Sequence, residues 1–241
     1  MTDWREPDAY AYTASLNRDQ WAWEFLRRNP EYQSDYVAFM STWRALEAEY
    51  GIPPNRDFAR WKSDPRAYRM DSGTDDPEGC AADENKVLIE CWMGAKWGFH
   101  KFPLNPAMVA PTPEQLGWRP MHVGARTVTA EHRDYLGESP TRVALGFDLN
   151  LPLPPQLEAA KFHLVSLQTR LRKEGMPVPA TVASRRADWM RYLRLLDAEA
   201  SGTPREEIGT SLECRNVAEA LEAARDLRDR GYRRILLLPD K

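Results

Sequence analysis

Fourteen of the chain's 25 aromatic side chains fall within its first 70 residues. Each such ring removes on the order of 150–250 Å² from water when it packs. The N-terminal third must therefore build a dense core or present a broad contact face. Helix punctuation orders these rings. In "NRDQWAWEFLRRNP" (17–30), Asn17 is an N-cap with Gln20 three residues on, and the Asn29–Pro30 pair ends the helix. A second helix is expected over about 31–49. Its residues Tyr36, Phe39, Trp43, Leu46 and Tyr50 recur on one face, with Gly51 as stop and Pro53 and Pro54 beyond. Core packing is the plainer use of this stripe. The sharper use is an interdomain or partner face made by Trp21, Phe25, Tyr36, Phe39 and Trp43.

The bulk numbers narrow the class. A chain of 241 residues, 42% apolar and 29% charged, reads as a soluble globular protein of one or two domains. Its apolar runs fall short of the roughly 18–20 residues a membrane span needs. The start, "MTDWREPDAY", lacks the pattern of a secretory signal. Cys80, Cys91 and Cys214 are few, odd in number and scattered, so a disulfide framework is not expected and a cytoplasmic location is. The acidic stretch 71–86 reads as a loop. The segment 87–108, interrupted by Gly94, Gly98, Pro103 and Pro106, reads as short strands and turns. "MHVGARTVTAEH" and "TRVALGFDLNL" have the alternation of strands, expected to pair as a hairpin across Gly137–Pro140.

From Leu151 the texture becomes helical. Residues 151–241 carry 16 basic against 13 acidic residues, +3, and the rest carry 17 against 23, −6. Prolines open a helix near 152 that Gly175 closes, with Leu157, Ala160, Leu164, Leu167 and Leu171 on one face. A helix over 185–200 buries Trp189, Tyr192, Leu193 and Leu196. Thr203-Pro204-Arg205-Glu206 then reads as a capped start of a short helix to about 212. Asn216, with Glu219 as its N3 residue, starts a third helix that Gly231 stops, and "YRRILLLPDK" is a short strand or an apolar tail clamp. Three helices in this order serve a helix-turn-helix DNA reader and an ordinary three-helix core equally well.

Charge sharpens the DNA option without deciding it. Glu219, Glu222 and Asp226 lie opposite the apolar stripe of the third helix, where carboxylates would face phosphates. The cations flank it. Arg205, Arg215, Arg225 and Arg228, with Arg185 and Arg186 at the start of the first helix, are the candidate phosphate contacts, and Arg215, Asn216 and Ala218 the candidate base readers. The alternative is a protein-interaction regulator that binds another regulator and not DNA. One contiguous basic face formed by Arg205, Arg215, Arg225 and Arg228 would favour DNA.

The runs "FDLNLPLPPQLEAAKFHLVSLQ", "YLRLLDAEASGTPREEIGTSL" and "ARDLRDRGYRRILLL" resemble a proteobacterial type-VI-secretion transcription-factor-like DNA-binding domain. The start, "DWREPDAYAYTASLNRDQWAWEFLRRNPEYQSDY", resembles a proteobacterial transcriptional-regulator-like domain. Together they resemble the two-domain activators of integrative and conjugative elements. The resemblance implies an aromatic-rich helical regulatory domain over 1–70, a connecting region over 71–140, and an extended-turn helix-turn-helix domain over 141–241. It implies that the first docks on the back of the last. It also implies promoter DNA and RNA polymerase as partners, and an antiactivator similar to the C-terminal domain that competes for the N-terminal surface. The long turn "ECRN" fits the extended-turn description. The expected fold class is mainly α with small β elements.

Signals for catalysis are weak. His100, His122, His132 and His163 have no metal-ligand spacing. The cluster Glu131, His132 and Asp134 reads as solvated surface. Cys80, Cys91 and His100 lack a regular spacing and a fourth ligand for zinc. There is no Gly-rich phosphate loop, so no catalytic residue, metal or cofactor is expected.

Overall fold

Every residue from Trp21 to Leu26 is buried, so the first α-helix is covered all round rather than on one face. The computed structural model describes residues 3–70, 81–83, 86–100, 102–121, 143–175 and 181–241. Its elements are mainly α with small β elements. Contacts divide the chain into two compact units, one of residues 1–121 and 181–241 and one of 122–180.

In the first unit a 3-10 segment, Pro7–Ser15, leads into α1, Arg18–Leu26. Asn17 and Gln20 form the expected capping box. Asn29 then caps α2, Pro30–Tyr50, by accepting from the Tyr32 amide at 3.0 Å. One asparagine thus separates two helices, and Gly51, at φ 84°, ends the second. Beyond it lie α3 (Phe58–Ser63), β1 (Tyr68–Met70), β2 (Ala81–Asp83), β3 (Lys86–Leu88), α4 (Ile89–Trp97) and α5 (Pro113–Leu116). The three strands form an antiparallel sheet in the order β1-β3-β2, with Tyr68 opposite Leu88.

Three expectations change here. The acidic loop is interrupted by β2, while 71–80 lies outside the described residues. The segment read as strands and turns holds a nine-residue helix, α4. Gly94 was read as a breaker, yet it is buried inside α4, and only Gly98, at φ 89°, terminates it. Cys91 is disulfide-bonded and Cys214 is free, which corrects the expectation of no disulfide. The strand expected from 122 and most of its hairpin turn lie outside the described residues, and 143–148 carries no ladder.

The C-terminal helices of this unit are α7 (Val182–Ala200), α8 (Arg205–Ser211) and α9 (Val217–Asp226). A π turn, Leu227–Gly231, continues α9 into α10, Tyr232–Ile235. Gly231 keeps right-handed helical angles and therefore does not stop the helix as expected. The tail acts as a clamp, its Pro239 and Asp240 carbonyls accepting from the Val182 and Ala183 amides at 2.9 and 3.2 Å. The second unit holds α6, Leu153–Lys173, which begins among prolines as expected and ends before Gly175 at φ 78°.

The two ends of the first unit share one interior. Trp4 is 3% exposed and packs with Leu195, Ala198, Ile208 and Leu221, filling the space among α7, α8 and α9. Arg194 holds the arm by donating to the Trp4 and Arg5 carbonyls at 2.8 and 2.9 Å. Trp21 and Phe25 meet Trp189 edge-on, with ring centroids 5.3 and 6.2 Å apart. Between them runs a buried ion network. Glu24 is fully buried and accepts from Arg27 Nε at 2.8 Å, Arg28 Nη1 at 2.6 Å and the Tyr12 hydroxyl at 2.8 Å. Arg28 turns its Nε and Nη2 to Asp197 of α7 at 2.8 and 2.9 Å, where the Tyr10 hydroxyl also donates at 2.6 Å. Burial alone would raise the Glu24 carboxyl, but the two arginines and the hydrogen bonds outweigh it and hold its pKa below the ordinary value of 4.5.

Two outcomes follow for stability. Trp4→Ala removes a large buried ring and is expected to cost about 3–5 kcal/mol in urea unfolding. A loss below about 1 kcal/mol would show that the arm is not part of the core. The Glu24 carboxyl titrates lower folded than unfolded, so its stabilisation is complete above pH 4.5 and is lost as pH falls through the folded value. Glu24→Gln should lower stability at neutral pH by about 3–5 kcal/mol. It should also flatten the decline of the urea midpoint below pH 4.5; an unchanged slope would remove Glu24 from the acid response.

Candidate nucleic-acid interface

Side-chain hydrogen bonds start α7 and α9 but not α8. Thr181 caps α7 by accepting from the Ser184 amide at 3.3 Å. The expected cap at Thr203 does not form. Gly202, at φ 75°, reverses the chain so that the Thr203 hydroxyl pairs with that of Ser201 at 2.9 Å. Pro204 occupies the cap position of α8 with no side-chain bond. Asn216 does cap α9, accepting from the Glu219 amide at 3.3 Å. The turn between α8 and α9 is closed by the Cys214 amide donating to the Gly209 carbonyl at 2.9 Å, with Glu213 in the left-handed region at φ 48°. Gly209 allows this approach, because a Cβ there would stand 3.2 Å from Val217 Cγ2.

The predicted DNA-facing residues fall into groups. Arg205, Arg215, Asn216 and Ala218 are exposed around the start of α8 and the turn into α9. The Asn216 amide is spent at both ends, since its Nδ2 also donates to Glu219 Oε2 at 2.6 Å. Arg225 and Arg228 are engaged within the protein. Arg225 grips Glu199 through Nε, at 3.1 Å, and through Nη2. Arg228 holds Asp229 at 2.7 and 2.9 Å and stands 3.8 Å from Glu199. Arg185 and Arg186 belong elsewhere. They lie near the start of the 19-residue α7, whereas Glu199 is near its end, so roughly 20 Å separates the two groups. Arg185 stands 3.8 Å from Asp188, and Arg186 donates to the Leu16 carbonyl at 3.3 Å. The basic residues thus form one cluster around Glu199, an exposed turn, and a distant pair.

Electrostatics at Glu199 follow from this convergence. The hydrogen bonds from Arg225 come first, and the charges of Arg225, Arg228 and Arg205 add to them against burial, so its carboxyl lies below the ordinary glutamate value. A cleft of about 690 Å³ opens onto Glu199 and Arg228, with Arg27 and Arg28 on its other wall.

The five aromatic residues expected at an interdomain or partner face also divide. Trp21 and Phe25 meet Trp189 of α7. Phe39 and Trp43 pack on Phe102 at 5.2 and 4.8 Å, Trp43 also meets Trp61 at 4.9 Å, and the half-buried Tyr36 lies against Tyr32. The stripe on α2 found its cover in α3 and in the segment after α4. Sequence reading missed Trp4, Tyr10, Arg28, Asn29 and Asp197, which join the two ends of the chain, and Glu199, which ties α7 to Arg225. Trp4 had one signal, a lone large apolar residue within the charged "TDWREPD". Asn29 was read only as a stop, yet it also donates to Asp229 Oδ1 at 3.1 Å and so touches the π turn.

Among the described residues, no group of three metal-ligating side chains could hold an ion, and no helix is long and apolar enough to cross a membrane. The Glu131, His132 and Asp134 cluster, with His122 and Cys80, lies outside the described residues. Neither a curated protein nor a solved structure matches the chain. Residues 3–61 match the family model of a proteobacterial transcriptional regulator-like domain. That stretch carries Trp4, Tyr10, Trp21, Phe25, Arg28 and Asn29, which meet the C-terminal helices, and it points to a role in regulating transcription rather than in catalysis.

Proposed function

We propose that this chain is a cytoplasmic, sequence-selective DNA-binding activator of transcription. The observation that carries the reading is the orientation of the α7–α8–α9 unit. Its back, at Trp189 and Asp197, is covered by the regulator-like segment. Its front, at Arg205, Arg215 and Ala218, is exposed. In this reading the arginines neutralise phosphates and give salt-dependent affinity, and Arg215 at the front of α9 reaches a base edge. Asn216 contributes by fixing the start of α9, because its amide is already used. The N-terminal segment sets the angle of the reader and offers the surface through which RNA polymerase or a competing regulator acts. By the resemblance of its C-terminal third, the chain controls excision and transfer genes of an integrative and conjugative element.

A second reading has its own support. Glu219, Glu222 and Asp226 are exposed along α9, and a carboxylate-lined face suits a basic protein partner better than a phosphate backbone. In that case the chain regulates by binding another regulator.

Selection from a random duplex library separates the two. The DNA reading expects enrichment of one motif. Arg215→Ala should then cost roughly tenfold in affinity for it and relax preference at one position, as loss of a base contact does. Arg205→Ala should weaken all duplexes alike and lower the salt slope by about one. No enrichment, together with no duplex binding at low salt, would overturn the DNA reading in favour of the protein partner.

A further inference from the structure

Two of the arginines that sequence reading assigned to phosphates converge on one carboxylate of their own chain. Glu199 is held by two nitrogens of Arg225, has Arg228 Nη1 at 3.8 Å, and feels the charge of Arg205. A carboxylate presents to a guanidinium fork the same pair of oxygens as a phosphate. Its surroundings are open enough for exchange. The side chains of Arg225 and Glu199 are 41% and 28% exposed, and the adjoining cleft leaves space beside Glu199 and Arg228. We propose that Glu199 is an internal occupant of a phosphate subsite. It keeps Arg225 paired in the free protein, beside an Arg228 that Asp229 holds, and a nucleic-acid phosphate must displace it to use Arg225.

This inference rests on the DNA-binding reading and makes that reading more specific. With Glu199 and Asp229 in place, Arg225 and Arg228 present no net charge instead of two positive charges. Glu222 adds a further negative field at Arg225. The free protein is therefore a weak binder of arbitrary DNA. Only a duplex whose other contacts already hold it in register brings a phosphate close enough to exchange with the carboxylate. The latch lowers affinity for every sequence but takes most from unspecific complexes, which lack those other contacts. It is a selectivity device built from one residue.

The test measures binding of the full chain to a random-sequence duplex of about 20 base pairs by fluorescence anisotropy across a salt series. Glu199→Gln should bind roughly tenfold more tightly at low salt, with a salt slope steeper by about one to two phosphate contacts. Glu114→Gln removes an exposed carboxylate from α5, outside the α7–α9 unit, and should change affinity by less than about twofold, which controls for net charge. Arg225→Gln should weaken binding little in the native chain and strongly in the Glu199→Gln background. That coupling also keeps the idea testable if Glu199→Gln lowers the melting temperature. If the native chain binds duplex while Glu199→Gln matches it or matches Glu114→Gln, the latch is overturned and the DNA reading stands. If neither the native chain nor Glu199→Gln binds any duplex at low salt, both are overturned.

Discussion

A carboxylate in the middle of a fully buried helix is the constraint around which this structure is arranged. Glu24 has no access to solvent and is held by Arg27, Arg28 and the Tyr12 hydroxyl. An ionised group so placed survives only when its charge and its lone pairs are answered nearby. Arg28 answers it from the next turn of the chain, then spends its remaining donors on Asp197, some 170 residues away. The need of one glutamate thereby fixes where α7 lies against α1. The hydrogen-bonded chain through Tyr12, Glu24, Arg28, Asp197 and Tyr10 adds a polar constraint to the register that Trp21, Phe25 and Trp189 already pack.

Around that network the two chain ends are interdependent. The space among α7, α8 and α9 is completed by Trp4 from the opposite end of the sequence, and Trp189 meets Trp21 and Phe25 edge-on. The segment that matches a transcriptional regulator-like domain and the C-terminal helices therefore form one core. The packing of α7, α8 and α9 thus includes Trp4, a side chain from the segment that matches the regulator-like domain.

Local signals were legible in the sequence. Asn17 with Gln20, Asn216 with Glu219, and Gly51 at the end of α2 depend on hydrogen bonds and backbone angles within a few residues, and the structure places each where the pattern predicts. Signals that failed were those whose outcome is decided at long range. Gly94 looked like a breaker, but burial of α4 outweighs its propensity cost of about 1 kcal/mol. Thr203 looked like a cap until a neighbouring serine competed for its hydroxyl. At the candidate interface, the residue types near the turn were readable as basic, but their state was not. Nothing in the spacing of Glu199, Arg225 and Arg228 shows that they meet, because 26 residues and two turns intervene. The stripe on α2 was recognised as an apolar face, while its cover, Phe102 and Trp61, came from segments with no periodicity to read.

The π turn at Leu227–Gly231 changes how the last helix is addressed. An α-helix advances by about 100° per residue, so one extra residue in a turn rotates everything after it by that amount. Before the turn, Leu221 and Ala224 face the interior; after it, Tyr232 and Ile235 do, with the Tyr232 hydroxyl donating to the Trp97 carbonyl at 3.1 Å. The turn sets the phase at which Tyr232 and Ile235 rejoin the core that Ala224 lines. Insertions or deletions between Asp226 and Tyr232 would therefore act like a change of gear. Each would keep the segment helical while turning Tyr232 and Ile235 out of mesh with that core.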